Sequence, residues 1–164
     1  PEEMSGLYQD SRVKAYVSMT HGEGFGLPLF EAAYYGLPII APVWSGQSDF
    51  LYMPIKNKNG KEKLKAMCAK IDFDLQLISP EAVWDGVLDK HSSWAFPKLA
   101  SYKNKLRDVN KDHNRYLSQA KILQEWVLEN FKAEDKYAEF VDCIVKTIEE
   151  NKMEQSQPAQ VVVL

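Results

Sequence analysis

Two acids, Glu23 and Glu31, bracket a segment that also holds Gly24, Gly26 and Pro28, with Gly22 just before it. An ionised carboxylate only accepts hydrogen bonds, through about four lone-pair sites, which suits it to a vicinal diol such as a ribose. Glycines let backbone amides come close to an anion, and where such a loop opens a helix the dipole favours negative charge at that point. Amides for an anion beside carboxylates for hydroxyls describe a site for a charged, hydroxyl-rich small molecule. The pattern is not the dinucleotide fingerprint, because Leu27 stands where the last glycine of that motif belongs. A tight strand-to-helix turn with no ligand is the plain alternative, and the two carboxylates weigh against it.

The elements that must position these groups are legible on either side. Pro1 to Asp10 reads as a short helix with acids at its front, and Val13 to Ser18 alternates as a strand does. Thr20 to Gly26 is then loop and Leu27 to Tyr35 helix, with Gly36 as a left-handed cap. If Pro28 takes the first helical position, Glu31 lies near the first turn. Pro38 to Ala41 is apolar enough for a buried parallel strand. Helix, strand, glycine loop, helix, strand is the order of a doubly wound α/β sheet, whose ligands sit at the carboxyl ends of the strands. Val43 to Phe50 should leave the second strand on that same edge.

Farther on, Pro54 to Lys63 reads as a lysine-rich turn with Asn59-Gly60 at its tip, and Leu64 to Ile78 as one or two extended segments. Ser79 to Pro97 shows no regular pattern. Lys98 to Lys152 has the spacing of amphipathic helices, with a break near Asn130-Phe131, and Glu154 to Gln160 reads as a loose polar tail.

With 164 residues, 45% hydrophobic and 26% charged, the composition is that of an ordinary globular domain with a proper core. A net charge of −3 lacks the basic excess that nucleic acid or an anionic membrane surface would require. No apolar run is long enough for a membrane span. Cys68 and Cys143 have no metal-ligand spacing and suit a reducing compartment, so a cytoplasmic location is expected. The chain opens at Pro1 without a methionine, which leads us to expect that it is the later part of a larger protein.

The run Glu-Gly-Phe-Gly-Leu-Pro-Leu-Phe-Glu from Glu23, followed by Ala-Ala-Tyr-Tyr-Gly-Leu-Pro-Ile-Ile-Ala to Ala41, resembles the E-x7-E signature of the family 4 retaining glycosyltransferases (glycosyl transferases group 1). Ser45-Gly46 with Asp49-Phe50 is similar to the loop that follows in that family, and Trp94-Ala95-Phe96-Pro97 to its later W-A-x-P segment. The resemblance is sharp from Glu23 to Ala41 and looser elsewhere. It implies an α/β fold: a Rossmann-like partial donor-binding domain with parallel strands and carboxyl-terminal helices, spanning 1–152, with 153–164 a flexible tail. It implies a nucleotide-diphosphate sugar as donor, an acceptor of unknown class, and neither metal nor other cofactor. Glu23 would be the catalytic residue, orienting the donor sugar without acting as nucleophile. The backbone of Gly22, Gly24, Phe25, Gly26 and Leu27 would face the sugar and diphosphate, Glu31 would hold the ribose, and Ser45 and Gly46 would complete the donor site.

The family also places an Arg and a Lys upstream of this motif to neutralise the diphosphate. Arg12 and Lys14 are poor candidates, since both fall in the expected strand. An amino-terminal acceptor-binding domain would likewise be missing, so the chain alone should not turn over. The competing readings are a nucleotide-sugar-binding module without chemistry, and another enzyme of the same fold, such as an epimerase or a phosphorylase.

Three further features carry less. Asp72-Phe73-Asp74 matches the metal-binding D-x-D of the other large glycosyltransferase fold, but two aspartates on one side of a strand read more simply as a polar face. His21 could meet donor hydroxyls or bond locally to backbone. Trp84, Trp94 and Trp126 read as packing residues.

Overall fold

Strand β2 (Ile39–Pro42) is buried along its whole length, as four successive apolar residues require, and the sheet is built on it. On one side it pairs in parallel with β1 (Tyr16–Val17), in the register Tyr16↔Ile39, and on the other with β5 (Ala69–Ile71), in the register Ile40↔Ala69. The result is a three-stranded parallel sheet of order β1-β2-β5. The structure is a computed structural model and describes residues 2–57 and 59–156. The protein is mixed α/β, and it divides into two compact units, Pro1–Val127 and Leu128–Leu164.

In the first unit, α1 (Glu2–Gln9) precedes β1, and α2 (Leu27–Tyr34) makes the crossover to β2. Gly36 ends α2 at φ 69°, the left-handed turn expected of it. The strand expected over 13–18 shrinks to two residues for a visible reason. The amides of Tyr16 and Ser18 reach the carbonyls of Pro38, just before β2, and Ile40 within it, at 2.8 and 3.0 Å, whereas Val13 bonds back to Asp10 in a turn.

A 3₁₀ turn (Ser45–Gln47) and the short helix α3 (Ser48–Leu51) replace the irregular loop expected after β2. The lysine-rich stretch expected as a turn belongs to an antiparallel hairpin, β3 (Tyr52–Lys56) with β4 (Glu62–Ala66), which takes up both of its ends. After β5, β6 (Phe73–Leu77) pairs antiparallel with β7 (Ser93–Pro97), inside a stretch that had shown no pattern. Helix α4 (Leu99–Lys111) and helix α5 (His113–Asn130) follow, parted at Asp112, a break the helical spacing did not reveal.

Ile40, Ala69 and Ile71 of the sheet form a core cluster with Val109 of α4 and Tyr116 of α5. Each such large side chain contributes roughly 1.5–3 kcal/mol by leaving water. Phe50, fully buried, meets Phe25 and Phe30 at ring-centroid distances of 5.1 and 5.3 Å, tying α3 to the glycine loop and α2.

In the second unit, α6 (Ala133–Ser156) follows the expected break after Asn130. It carries Tyr137, Phe140, Val141, Ile144, Val145 and Ile148 at helical spacing. The helix continues past residue 153, where the tail was expected to begin; 157–164 lie outside the described residues. No helix among the described residues is long and apolar enough to cross a membrane.

Candidate functional site

The segment between β1 and α2 is fastened at both ends. Before it, the ring of His21 donates from Nδ1 to the Ala95 carbonyl at 2.8 Å, since a carbonyl can only accept, and the Ala95 amide returns a bond to the His21 carbonyl at 3.1 Å. The same ring stacks on Trp94 at 5.4 Å and leans on Phe96 at 4.4 Å. His21 is therefore bonded to backbone, though not locally as one of its two readings had it. The backbone belongs to β7, far along the chain, and so the Trp94-to-Pro97 segment is a support for the loop. Trp94 packs as expected. Trp84 does not: it is 67% exposed, beside a tight turn at Gly86.

At the other end, the loop after β2 folds against the glycine loop. The Glu23 carbonyl accepts from the Gly46 amide at 3.1 Å and from Ser45 Oγ at 2.9 Å. Ser45 holds φ 63°, a left-handed conformation that non-glycine residues seldom adopt and that concentrates where a loop is held in place for a purpose. Gly26 caps α2 at φ 85°, and a Cβ there would meet Gln47 Cβ at 3.2 Å. Gln47 itself is fully buried: its Nε2 donates to the Pro42 carbonyl at 3.2 Å, and its Oε1 has no partner among the described residues.

Glu23, Ser45 and Gly46 thus meet at the carboxyl ends of β1 and β2, where the order of elements predicts a ligand edge. Gly22 and Gly24 are exposed, whereas the Phe25 ring is turned onto Phe30 and Phe50 and anchors the loop.

Leu27, not Pro28, is the first residue of α2, so Glu31 lies in the second turn, one residue deeper than the sequence predicts. The reason is the left-handed Gly26, which lets the helix begin one residue earlier. Together with Leu27, Glu31 lines a cavity of about 470 Å³ between α1 and α2.

The partner of Glu31 was not foreseen. Tyr8 of α1 donates its phenolic proton to Glu31 Oε2 at 3.1 Å. Burial, with help from that carboxylate, pushes the Tyr8 phenol up to about 12. Tyr16 of β1 lies 6.3 Å from Tyr8, ring to ring, and its phenol is also raised, by burial first and then by the charges of both Glu23 and Glu31. Nothing local in the sequence marks Tyr8 or Tyr16. Tyr8 reaches Glu31 only because α1 folds beside α2.

Arg12 and Lys14 are engaged elsewhere: the Arg12 fork holds Asp10 at 2.6 Å, and Lys14 donates to the Ser11 carbonyl at 2.6 Å. Asp72 Oδ2 accepts from Ser101 at 3.1 Å and Asp74 pairs with Lys98 at 2.7 Å, so both aspartates serve the start of α4. Comparison with protein families, with curated proteins and with solved structures returns no match.

Proposed function

We propose that the paired loops at Glu23 and Ser45-Gly46 bind a nucleotide-diphosphate sugar, and that the protein belongs to a retaining glycosyltransferase of the family 4 kind. The observation that carries this reading is the meeting of the two loops at the carboxyl ends of β1 and β2, where Ser45 and Gly46 both bond the Glu23 carbonyl. The parallel order β1-β2-β5 with a crossover helix suits a Rossmann-like donor domain, the cytoplasm suits a nucleotide sugar, and a further domain would bind the acceptor.

On this reading each group has a task. Amides at the start of α2 face the diphosphate and stabilise the charge that grows on it as the bond to the sugar breaks. The Glu23 carboxylate orients the sugar through its hydroxyls and favours positive charge at the ring. Glu31, with one oxygen taken by Tyr8, keeps lone pairs for the ribose diol, and Tyr8 fixes its direction. Ser45 holds the Glu23 backbone, so its contribution is to position the acid.

Thermal unfolding against a panel of nucleotide-diphosphate sugars tests the binding step, because a ligand that prefers the native state raises the melting temperature by mass action. At least one donor should raise it, and Glu31→Gln should weaken that donor's effect. A flat panel, or a shift indifferent to Glu31→Gln, would reject the reading.

One observation favours the binding-module alternative. Arg12 and Lys14, the cations nearest in sequence upstream of the loop, are bonded to Asp10 and Ser11. That alternative predicts the same thermal shift with no sugar transfer or donor hydrolysis even in the presence of acceptor, and product analysis separates the two.

A further inference from the structure

A second cavity, of about 620 Å³, opens at the opposite end of the parallel sheet, where the chain enters β5. Four cations line it, each from a different element: Lys65 of β4, Lys70 of β5, Lys105 of α4 and Arg115 of α5. No acid is among its lining residues. Lys70 and Lys105 are half-buried, and among the described residues neither they nor Lys65 are ion-paired. Lys70 donates to the Tyr52 hydroxyl at 2.8 Å, and Arg115 reaches Asp112, outside the lining, at 3.5 Å.

Cys68 lines the same cavity, and Lys70 and Lys105 draw its thiol downward against the burial that pushes it up to about 12. Partly desolvated ammonium groups gathered without a counter-charge repel one another and are unfavourable unless something negative joins them. Three ammonium groups and a guanidinium suit an anion of more than one charge with several acceptor oxygens, which is the description of a phosphate. Met67 and Ile122 give the wall an apolar part, and the volume lies in the range of small-molecule sites.

We propose that this cavity binds the phosphate group of a small phosphorylated molecule, at a site separate from the glycine loop. The cavity shares no residue with that loop or with Glu31, so the proposal stands apart from the donor reading.

The test is a titration of the isotope-labelled chain with inorganic phosphate and with a hexose 6-phosphate at low salt, followed by amide NMR. Saturable shifts are expected at residues 66–70 and 115–119, tighter for the hexose phosphate, whose body can use the apolar wall. Replacing both lysines, Lys70→Gln with Lys105→Gln, should weaken binding by about tenfold or more, while Lys105→Arg retains it. The double variant also gives up the bond from Lys70 to the Tyr52 hydroxyl, so its melting temperature is compared with the parent's. If it does melt lower, the exposed Lys65→Gln decides, and it should still weaken binding by about threefold. Failure to saturate by about 20 mM phosphate, which is weaker than any useful site, overturns the proposal. So do shifts confined to residues 22–27 and 44–47, or an unchanged affinity in the lysine variants.

Discussion

Gly46 lies so close against Gly24 that a Cβ at position 46 would overlap the Gly24 carbonyl oxygen and stand 2.6 Å from its carbon and 2.9 Å from the Phe25 Cα. The neighbours are backbone, which cannot swing aside as a side chain can. Gly46→Ala must therefore push the two loops apart and break the Gly46-to-Glu23 hydrogen bond. Overpacking of this kind costs about 1–3 kcal/mol. The expected outcome is a lower melting temperature together with loss of the donor-induced shift. Gly24→Ala is the control: nothing lies within 4 Å of its Cβ position, so stability should hardly change.

The contrast between these two glycines shows what was legible beforehand. Both are plain in the sequence, but only the fold reveals that one of them is fixed by a segment twenty residues away. The glycine loop, α2, its cap at Gly36 and the buried strand β2 could be read locally, because capping residues and an apolar run declare themselves over a few positions. Strands β3 and β7 could not, and β4 only from Leu64, where the extended stretch was expected to begin. Each is half of an antiparallel pair whose partner supplies the hydrogen bonds, and lysines, Pro54 or the interval before Ser93 conceal the alternation. The site divides in the same way. Glu23, Glu31 and the loop were found from residue type and spacing, whereas Tyr8, Tyr16 and the grip of β7 on His21 depend on tertiary neighbours.

The two thiols should respond very differently to a disulfide reagent. Cys143 is exposed on α6, whereas Cys68 is buried and burial holds its thiol up at about 12, so almost none is thiolate at pH 8. In the native protein Cys143 should react promptly. Cys68 should react only after denaturant is added. Two fast equivalents in the native state would contradict the placement of Cys68 beneath the basic cavity.

Phe50 joins α3 to the glycine loop and is entirely buried against Phe25 and Phe30. Phe50→Ala should cost about 3–5 kcal/mol, from lost burial and from the hole left behind. Phe50→Leu refills most of that space and should recover much of the loss. Urea unfolding of the three proteins measures both. A cost below about 1 kcal/mol for the alanine variant would mean that these rings do not hold the loop in place.

The bond from Tyr8 to Glu31 carries a pH signature. In the unfolded chain the phenol titrates near its ordinary value of 10, whereas in the folded protein it is raised to about 12. Between those values the unfolded chain has released its proton and the folded protein has not. The unfolded state then binds fewer protons, so raising the pH favours unfolding. The stability contributed by Tyr8 is therefore fully present below pH 10 and is lost as pH rises through 10 toward 12. Tyr16, also raised, adds to the same alkaline loss in the parent. Tyr8→Phe removes one titrating group and leaves the other. The difference in unfolding free energy between parent and Tyr8→Phe should thus be constant from about pH 7 to 9 and move in favour of the variant above pH 10. Denaturant titrations at closely spaced pH values measure that difference. A difference that stays flat across the alkaline window would show that Tyr8 does not share its proton with Glu31. Glu31, to which the proposed donor site assigns the ribose, would then have lost its support.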